Sequence, residues 1–395
     1  MDLSIIQDWL SMLLRWAHIV AGVGWIGSSF YFMWLDSSLK KRAGMPDTVK
    51  GENWTVHGGG FYHTQKYLVA PEQMPGDLHW FRWESYLTWL SGFALMAVTY
   101  YWSASSYLID PSVADLTPWQ AIAISVAGLG AGWLVYDLLC KSPLKAAPAV
   151  MFAVLFAALV LSAWGYAQIF SARAAYLQVG ATIATFMTGN VFLVIIPNQR
   201  IVVADLKAGR LPDAKYGAIA KLRSTHNNYL TLPVVFLMIS NHYPMTFGHP
   251  QAWALLALVL LIGVVVRHWF NAHESGRHGR AIAWQWPATG ALVVGLVALT
   301  AWRPDLVTPD GAVTDAEVMA IAQTHCVACH AAYPADPYFD EAPGGVALET
   351  TAELRRYSAQ VMAQAVRSDA MPLGNETGMT DEERARLGAW LAQAE

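Results

Sequence analysis

Apolar runs separated by short polar segments dominate the first three-quarters of the chain. Eight such runs fall at about 9–35, 84–103, 117–139, 146–167, 174–197, 227–243, 251–270 and 282–302. Each is near the ~20 residues that a helix needs to cross a bilayer, the sixth being the shortest. Beyond them the pattern changes. The stretch Arg303-Pro304-Asp305-Leu306-Val307-Thr308-Pro309-Asp310-Gly311 is rich in helix breakers. Thr314-Asp315-Ala316-Glu317 and Thr380-Asp381-Glu382-Glu383 then read as capping boxes that open helices. Residues 351–367 read as a further helix between them, and Leu387, Trp390 and Leu391 share one face of the last. The predicted fold is all-α: a polytopic bundle of about eight transmembrane helices over 1–302, a linker at 303–313 and a small helical unit over 314–395.

Composition supports that division. Of 395 residues, 55% are apolar and 14% charged, against roughly 25% charged in an average soluble protein. Eighteen tryptophans and sixteen tyrosines suit a chain with two lipid–water interfaces to mark. The net charge of −4 hides an asymmetry: residues 1–302 hold 19 Lys and Arg against 14 Asp and Glu, whereas 303–395 hold 6 Arg, no Lys and 15 Asp and Glu. The loops at 36–82, 140–146, 198–226 and 267–281 hold six, two, six and three basic residues, and the alternate loops hold none or one. The positive-inside rule then places both termini outside the cytoplasm of a bacterial inner membrane. Met1 to Asp8 is acidic, so the first run is expected to stay as a helix rather than be cleaved as a signal peptide. No nucleic-acid partner is expected; membrane lipid is.

Two of the three cysteines stand in Cys326-Val327-Ala328-Cys329-His330. Cys-x-x-Cys-His is the attachment pattern of a c-type haem, with the thiols bonded to the porphyrin and His330 placed as the proximal iron ligand. Cys-x-x-Cys also serves zinc and thiol-redox sites, but zinc needs further ligands and Cys140 lies far upstream in an apolar run. The sixth iron ligand is expected to be Met371 in Ala370-Met371-Pro372-Leu373-Gly374, with Met379 and Met362 as alternatives. The outward orientation read from the loops agrees with the side on which bacterial c-type haem is attached.

Three clusters stand out in the apolar part. His18 shares a helix face with Gly22, Trp25 and Ser29, where a glycine would let a flat porphyrin lie close, so His18 is a candidate haem b ligand. Its other reading is a hydrogen bond to a neighbouring helix. The long connection 51–82 carries His57, His63 and His79 among glycines and aromatics, and is expected to close over a substrate or to anchor at the interface. Arg223-Ser224-Thr225-His226-Asn227-Asn228 leads into the sixth run, where Arg223 and His226 are candidates to bind a planar anion and move a proton. Helix capping and a snorkelling Arg223 are the alternative. His242 and His268 are further candidates, and Thr182, Thr185 and Asn190 read as interhelical hydrogen bonders.

The stretches Leu14 to Phe32, Thr225 to Pro233, Ile239 to Pro244 and Met371 to Thr380 together resemble the membrane-bound, cytochrome-c-fused bacterial urate oxidases, the urate hydroxylases of the PuuD family. The resemblance covers essentially the whole chain. It implies oxidation of urate to 5-hydroxyisourate in purine catabolism, with electrons passing to a fused class-I-like cytochrome c unit and on to a soluble basic cytochrome c or a terminal oxidase. Hydrogen peroxide is not expected. The first helix is more distantly similar to small membrane haem proteins whose histidine there holds haem b. Two other classes stay open: a quinol:cytochrome c electron-transfer subunit with haem b in the bundle, and a transporter whose haem tail senses redox state.

Overall fold

The computed structural model describes residues 3–71, 74–302, 311–336 and 339–393. The expected linker at 303–313 lies mostly outside them. Helix α1 (Leu3–Ser38) has 36 residues, about 54 Å at 1.5 Å per residue. It packs chiefly on α2 (Trp83–Met96), whose end widens into a π turn at Ala97–Tyr101. The outward side of α1 carries Trp9, Met12, Trp16, Ile19, Val20 and Val23, all exposed. An uninterrupted apolar face of this kind suits hydrocarbon rather than water.

Helix α3 (Pro118–Lys141) starts at a Thr117/Gln120 capping box, and α4 (Pro148–Tyr166) follows with proline in its first turn. The bundle centre is α5 (Ala172–Gly189), eleven of whose eighteen residues are buried. It runs through a π turn at Asn190–Ile195 into α6 (Ile196–Lys207). Helix α7 (Ala214–Ser240) keeps Pro233 inside it, and α8 (Ala252–Glu274) passes there so closely that a Cβ at Gly263 would lie 2.7 Å from the Pro233 ring. Helix α9 (Gln285–Ala301) closes the bundle against α8. Among the described residues, six helical segments are long and apolar enough to cross a membrane: α1, α3, α4, α5 with α6, α8, and the 280–301 segment. The other two expected runs also form helix. However, α2 has only 14 residues before its π turn, and α7 carries Arg223, His226, Asn227 and Asn228.

Strands β1 (Val49–His57) and β2 (Gly60–Tyr67) depart from the all-α expectation, pairing antiparallel with His57 opposite Gly60. Gly58 and Gly59 make the turn with φ of 58° and 79°, the left-handed region where only glycine sits without strain. The ribbon hangs on the end of α1 through Lys66–Asp36 and the Lys40–Glu52 bridge.

The C-terminal unit has its own core. Helix α10 (Asp315–His325) packs with α11 (Thr351–Arg356), α12 (Ser358–Val361) and α13 (Asp381–Ala392) around Val318, Leu354, Leu387 and Trp390. Both capping boxes form: Thr314 accepts from the Glu317 amide, and Thr380 from the Glu383 amide. The single helix expected over 351–367 is broken at Tyr357 and ends in a π turn at Met362–Val366. The unit sits on the loop ends of the bundle. Gly374 presses on the carbonyls of Ser105, Ser106 and Ile109, Ser106 Oγ is 3.1 Å from Glu376 Oε1, and Gly248 abuts Ser368.

Candidate functional site

Four assemblies of polar side chains lie along the molecule. The first surrounds the Cys-x-x-Cys-His pattern. Helix α10 ends at His325, and the next turn brings Cys326, Cys329 and His330 together, with the His330 amide 2.8 Å from the Cys326 carbonyl. His330 Nδ1 lies 2.8 Å from the Val346 carbonyl. It donates there, which leaves Nε2 with a free lone pair, as in a histidine set up to bind a metal. His325 is held apart, with Thr377 on Nδ1 at 2.8 Å and Glu383 on Nε2 at 3.2 Å. Burial pushes the Cys326 thiol up to about 11. Burial, with the Asp336 carboxylate beside it, pushes Cys329 up to about 12. Cys326, Met362 and Met371 are partly buried and pack against the core, whereas Met379 lies inside it, 3% exposed. Arg384 fixes the Met371 loop through the Met371 carbonyl at 2.7 Å.

The second assembly is a cavity of about 530 Å³ beneath the C-terminal unit, lined by Arg15, His18, Tyr107, Arg173, Thr185 and His242 among others. His18 Nδ1 is 2.9 Å from the Thr88 carbonyl, so that nitrogen donates and Nε2 is left unprotonated. Gly92 makes room for the ring: a Cβ there would lie 2.7 Å from His18 Cε1. Tyr107, edge-on to Tyr100 at 5.9 Å, is close enough to Asp336 and Cys329 for their charges to act on it. The cavity wall therefore reaches the neighbourhood of the cysteine pair.

The third assembly lies toward the basic-loop side. Asn190, at the start of the α5 π turn, donates to the Tyr136 hydroxyl and to Asn227 Oδ1, both at 2.8 Å. The Tyr136 hydroxyl, which accepts from Asn190, lies in turn 2.9 Å from His226 Nδ1. Arg223 is buried between Asp137 and Asn190. Its charge is neutralised within the protein, and it lines neither cavity. His226 does line one, a largely apolar space of about 680 Å³ shared with Tyr229, His268, Lys145 and Lys221. The structure thus joins His226 with His268 around one cavity and His18 with His242 around another. The histidines of 51–82 reach neither. His63 pairs with Glu52 and stacks on Trp54, and His57 sits by the hairpin turn.

The fourth assembly escaped the sequence reading. Arg267 is 0% exposed, with its guanidinium 3.5 Å over the Phe30 ring and no hydrogen-bond partner on any of its three nitrogens. Gln285, 1% exposed, has both amide atoms unpartnered. Arg267 falls in the basic 267–281 stretch that the pattern reads as a loop, but α8 continues to Glu274 and carries it inside. A charge following Val264-Val265-Val266 was the available signal, since a charged residue within a spanning helix marks a site by default.

The described residues form an apolar helical bundle with helices long enough to cross a membrane, two cavities and buried polar networks, and a compact helical unit sits on its loop ends. The chain belongs to the urate oxidase N-terminal family, whose family model matches residues 4–302. No curated protein and no solved structure matches it.

Proposed function

We propose that the protein oxidises urate within its helical bundle and delivers the electrons to a haem c held by the C-terminal unit. The reaction, urate plus water giving 5-hydroxyisourate, two protons and two electrons, needs an electron acceptor and a group that takes protons. The family match supports urate as the substrate. The single observation that carries the electron route is the docking: the 371–376 loop seats on the 105–109 segment, whose Tyr107 lines the cavity that holds His18 and lies near Cys329.

The residues fit a covalent haem. Cys326 and Cys329 would bond it, His330 offers a free Nε2, and Met371 packs, partly buried, against the same core as Cys326. When bound, such a haem supplies a one-electron acceptor, with a thioether ligand raising its potential. The outer cavity fits a second haem, of b type. His18 presents an uncommitted Nε2 above Gly92, and Arg15 and Arg173 offer cations for propionates. It would bridge the two halves of the membrane for a substrate entering from the cytoplasmic side. His226, backed by Tyr136 and Asn190, is placed to move a proton at the inner cavity, while Arg223 holds that network in place through Asp137.

In this reading the basic loops face the cytoplasm, the C-terminal unit lies outside the inner membrane, and its −9 charge steers a soluble basic cytochrome c. The apolar inner cavity favours a second reading, a quinol:cytochrome c subunit, because two histidine–tyrosine pairs on an apolar wall suit a quinone ring. One experiment separates the two. Anaerobic titration of the detergent-purified protein with urate is expected to raise the reduced c-type α band, with a b-type band if His18 holds haem. A spectrum that stays oxidised with urate yet reduces with a quinol overturns the urate reading.

A further inference from the structure

Nine of the fourteen buried side-chain atoms that lack a hydrogen-bond partner among the described residues belong to six residues near the inner end of the bundle: Asn228, Arg267, Asn271, Glu274, Gln285 and Thr289. Arg267, Asn271 and Glu274 follow at i, i+4 and i+7 on α8, so they share a face. Asn271 Nδ2 donates to Asn228 Oδ1 of α7 at 2.7 Å, leaving Asn228 Nδ2 and Asn271 Oδ1 free. Ring contacts His268–Trp284 at 6.3 Å and Trp269–Trp286 at 5.1 Å set Gln285 of α9 level with Arg267. Glu274 acts on Arg267 electrostatically, but no ion pair joins them.

A native fold leaves few buried polar atoms unpaired, and an unpaired buried guanidinium is among the costliest. Unpaired buried groups gathered at one level of the bundle are what a site looks like when its ligand supplies the missing partners. The free groups also specify that ligand. Donors come from Arg267, Asn228 Nδ2 and Gln285 Nε2, and acceptors from Asn271 Oδ1, Gln285 Oε1 and Glu274 Oε2. Their intermixing calls for a rigid body whose edge alternates carbonyl oxygens with N–H groups. The Phe30 ring, 3.5 Å from the guanidinium, backs the Arg267 charge. Tyr229 and His268, hydrogen-bonded to each other at 2.8 Å, line the inner cavity, and Tyr229 lies within electrostatic reach of Arg267, so the cluster borders that cavity.

We propose that Arg267, Gln285, Asn228 and Asn271 form the site that binds the oxidised purine, reading its ring edge by paired hydrogen bonds. The assignment rests on urate being the substrate. Arg267 would fork onto a carbonyl and the adjacent anionic nitrogen, and the Gln285 amide would pair with a neighbouring C=O and N–H. Arginine and glutamine at this depth are then binding residues; proton transfer stays with other groups.

The test uses the full protein in detergent, anaerobic and fully reduced by dithionite so that urate binds without turnover. Thermal unfolding and equilibrium dialysis with labelled urate are measured for wild type, Arg267→Met and Gln285→Leu. Removing an unpaired buried group that serves a ligand should leave the ligand-free midpoint unchanged or raised. It should also weaken urate by about 10- to 100-fold, the loss expected for hydrogen bonds to a charged partner. Variants that bind urate as wild type does overturn the site. So does a ligand-free midpoint that falls in Gln285→Leu, which decides the matter even if Arg267→Met does not fold, because it marks a structural role. Wild type that binds no urate sinks the functional reading itself, a different outcome from either.

Discussion

His18 and Arg267 are both single polar side chains on apolar helices, yet only His18 was legible from the sequence. His18 sits mid-run with glycines at helical spacing, so its exceptional character is visible in one dimension. Arg267 sits at the end of a run, where basic residues ordinarily mark the cytoplasmic loop, and only the observed extension of α8 to Glu274 places it inside. Arg223 shows the converse. It was legible as a candidate anion binder, but its counter-ion, Asp137, lies 86 residues away on another helix, and no local pattern announces that pairing. The Cys326-to-His330 pattern is wholly local, so the proposed haem site could be read in one dimension, and the fold adds that His330 Nδ1 is committed to Val346. Its sixth ligand is testable at this scale. Met371→Ala should leave the bundle folded and the haem attached, but lower the haem c potential and change its reduced spectrum, as read by a redox titration followed optically. An unchanged spectrum and potential would remove Met371 from the iron and return the role to Met362.

At the scale of elements, the helices that the pattern placed well are those with chemical punctuation. The capping boxes at Thr314 and Thr380 opened α10 and α13 as expected, because the signal needs only residues three apart. The hairpin at β1 and β2 was missed: its strands carry lysine, glutamate and glutamine, and are mostly solvent-facing, so alternation is weak. The π turns at Ala97–Tyr101 and Asn190–Ile195 were also invisible, although the second brings Asn190 into the Tyr136–His226 chain. The caps carry a pH prediction. Glu317 is held below the usual carboxyl value of 4.5 by the Thr314 amide and hydroxyl. For Glu383, burial pulls upward but is outweighed by the Thr380 amide and hydroxyl and by His325, and the net shift is again downward. Carboxylates with depressed folded values stabilise the fold above 4.5, and that stability is lost as pH falls through the folded values. Unfolding of the C-terminal unit, followed at the Soret band, should therefore become easier below about pH 4.5. Thr380→Ala should lower its stability by about 1 kcal/mol near neutral pH, and equal stability of variant and wild type there would refute the cap's contribution.

For the whole molecule, the sequence divided a basic apolar part from an acidic polar one but said nothing of how the two meet. The meeting is tight and made of small residues. Gly374, at φ 57°, has room for no Cβ, since one would fall 2.6 Å from the Ser106 carbonyl. On the bundle side, a Cβ at Gly248 would fall 2.6 Å from that of Ser368. The same loop carries Met371, so the segment that would complete the iron site is also the one that seats the unit on the 105–109 segment, whose Tyr107 lines the His18 cavity. Electron transfer between centres depends steeply on this approach, whereas the spectrum of each centre depends only on its own ligands. Gly248→Ala and Gly374→Ala press the interface open from opposite sides, and Gly248, at φ −84°, does so without straining its own backbone. Both variants should keep the dithionite-reduced haem c spectrum of wild type while urate reduces that haem severalfold more slowly in stopped flow. If Gly374→Ala alone alters the spectrum, its effect belongs to the ligand loop, and Gly248→Ala becomes the deciding variant. Reduction by urate at the wild-type rate in Gly248→Ala would mean that the observed seating is not the path the electrons take.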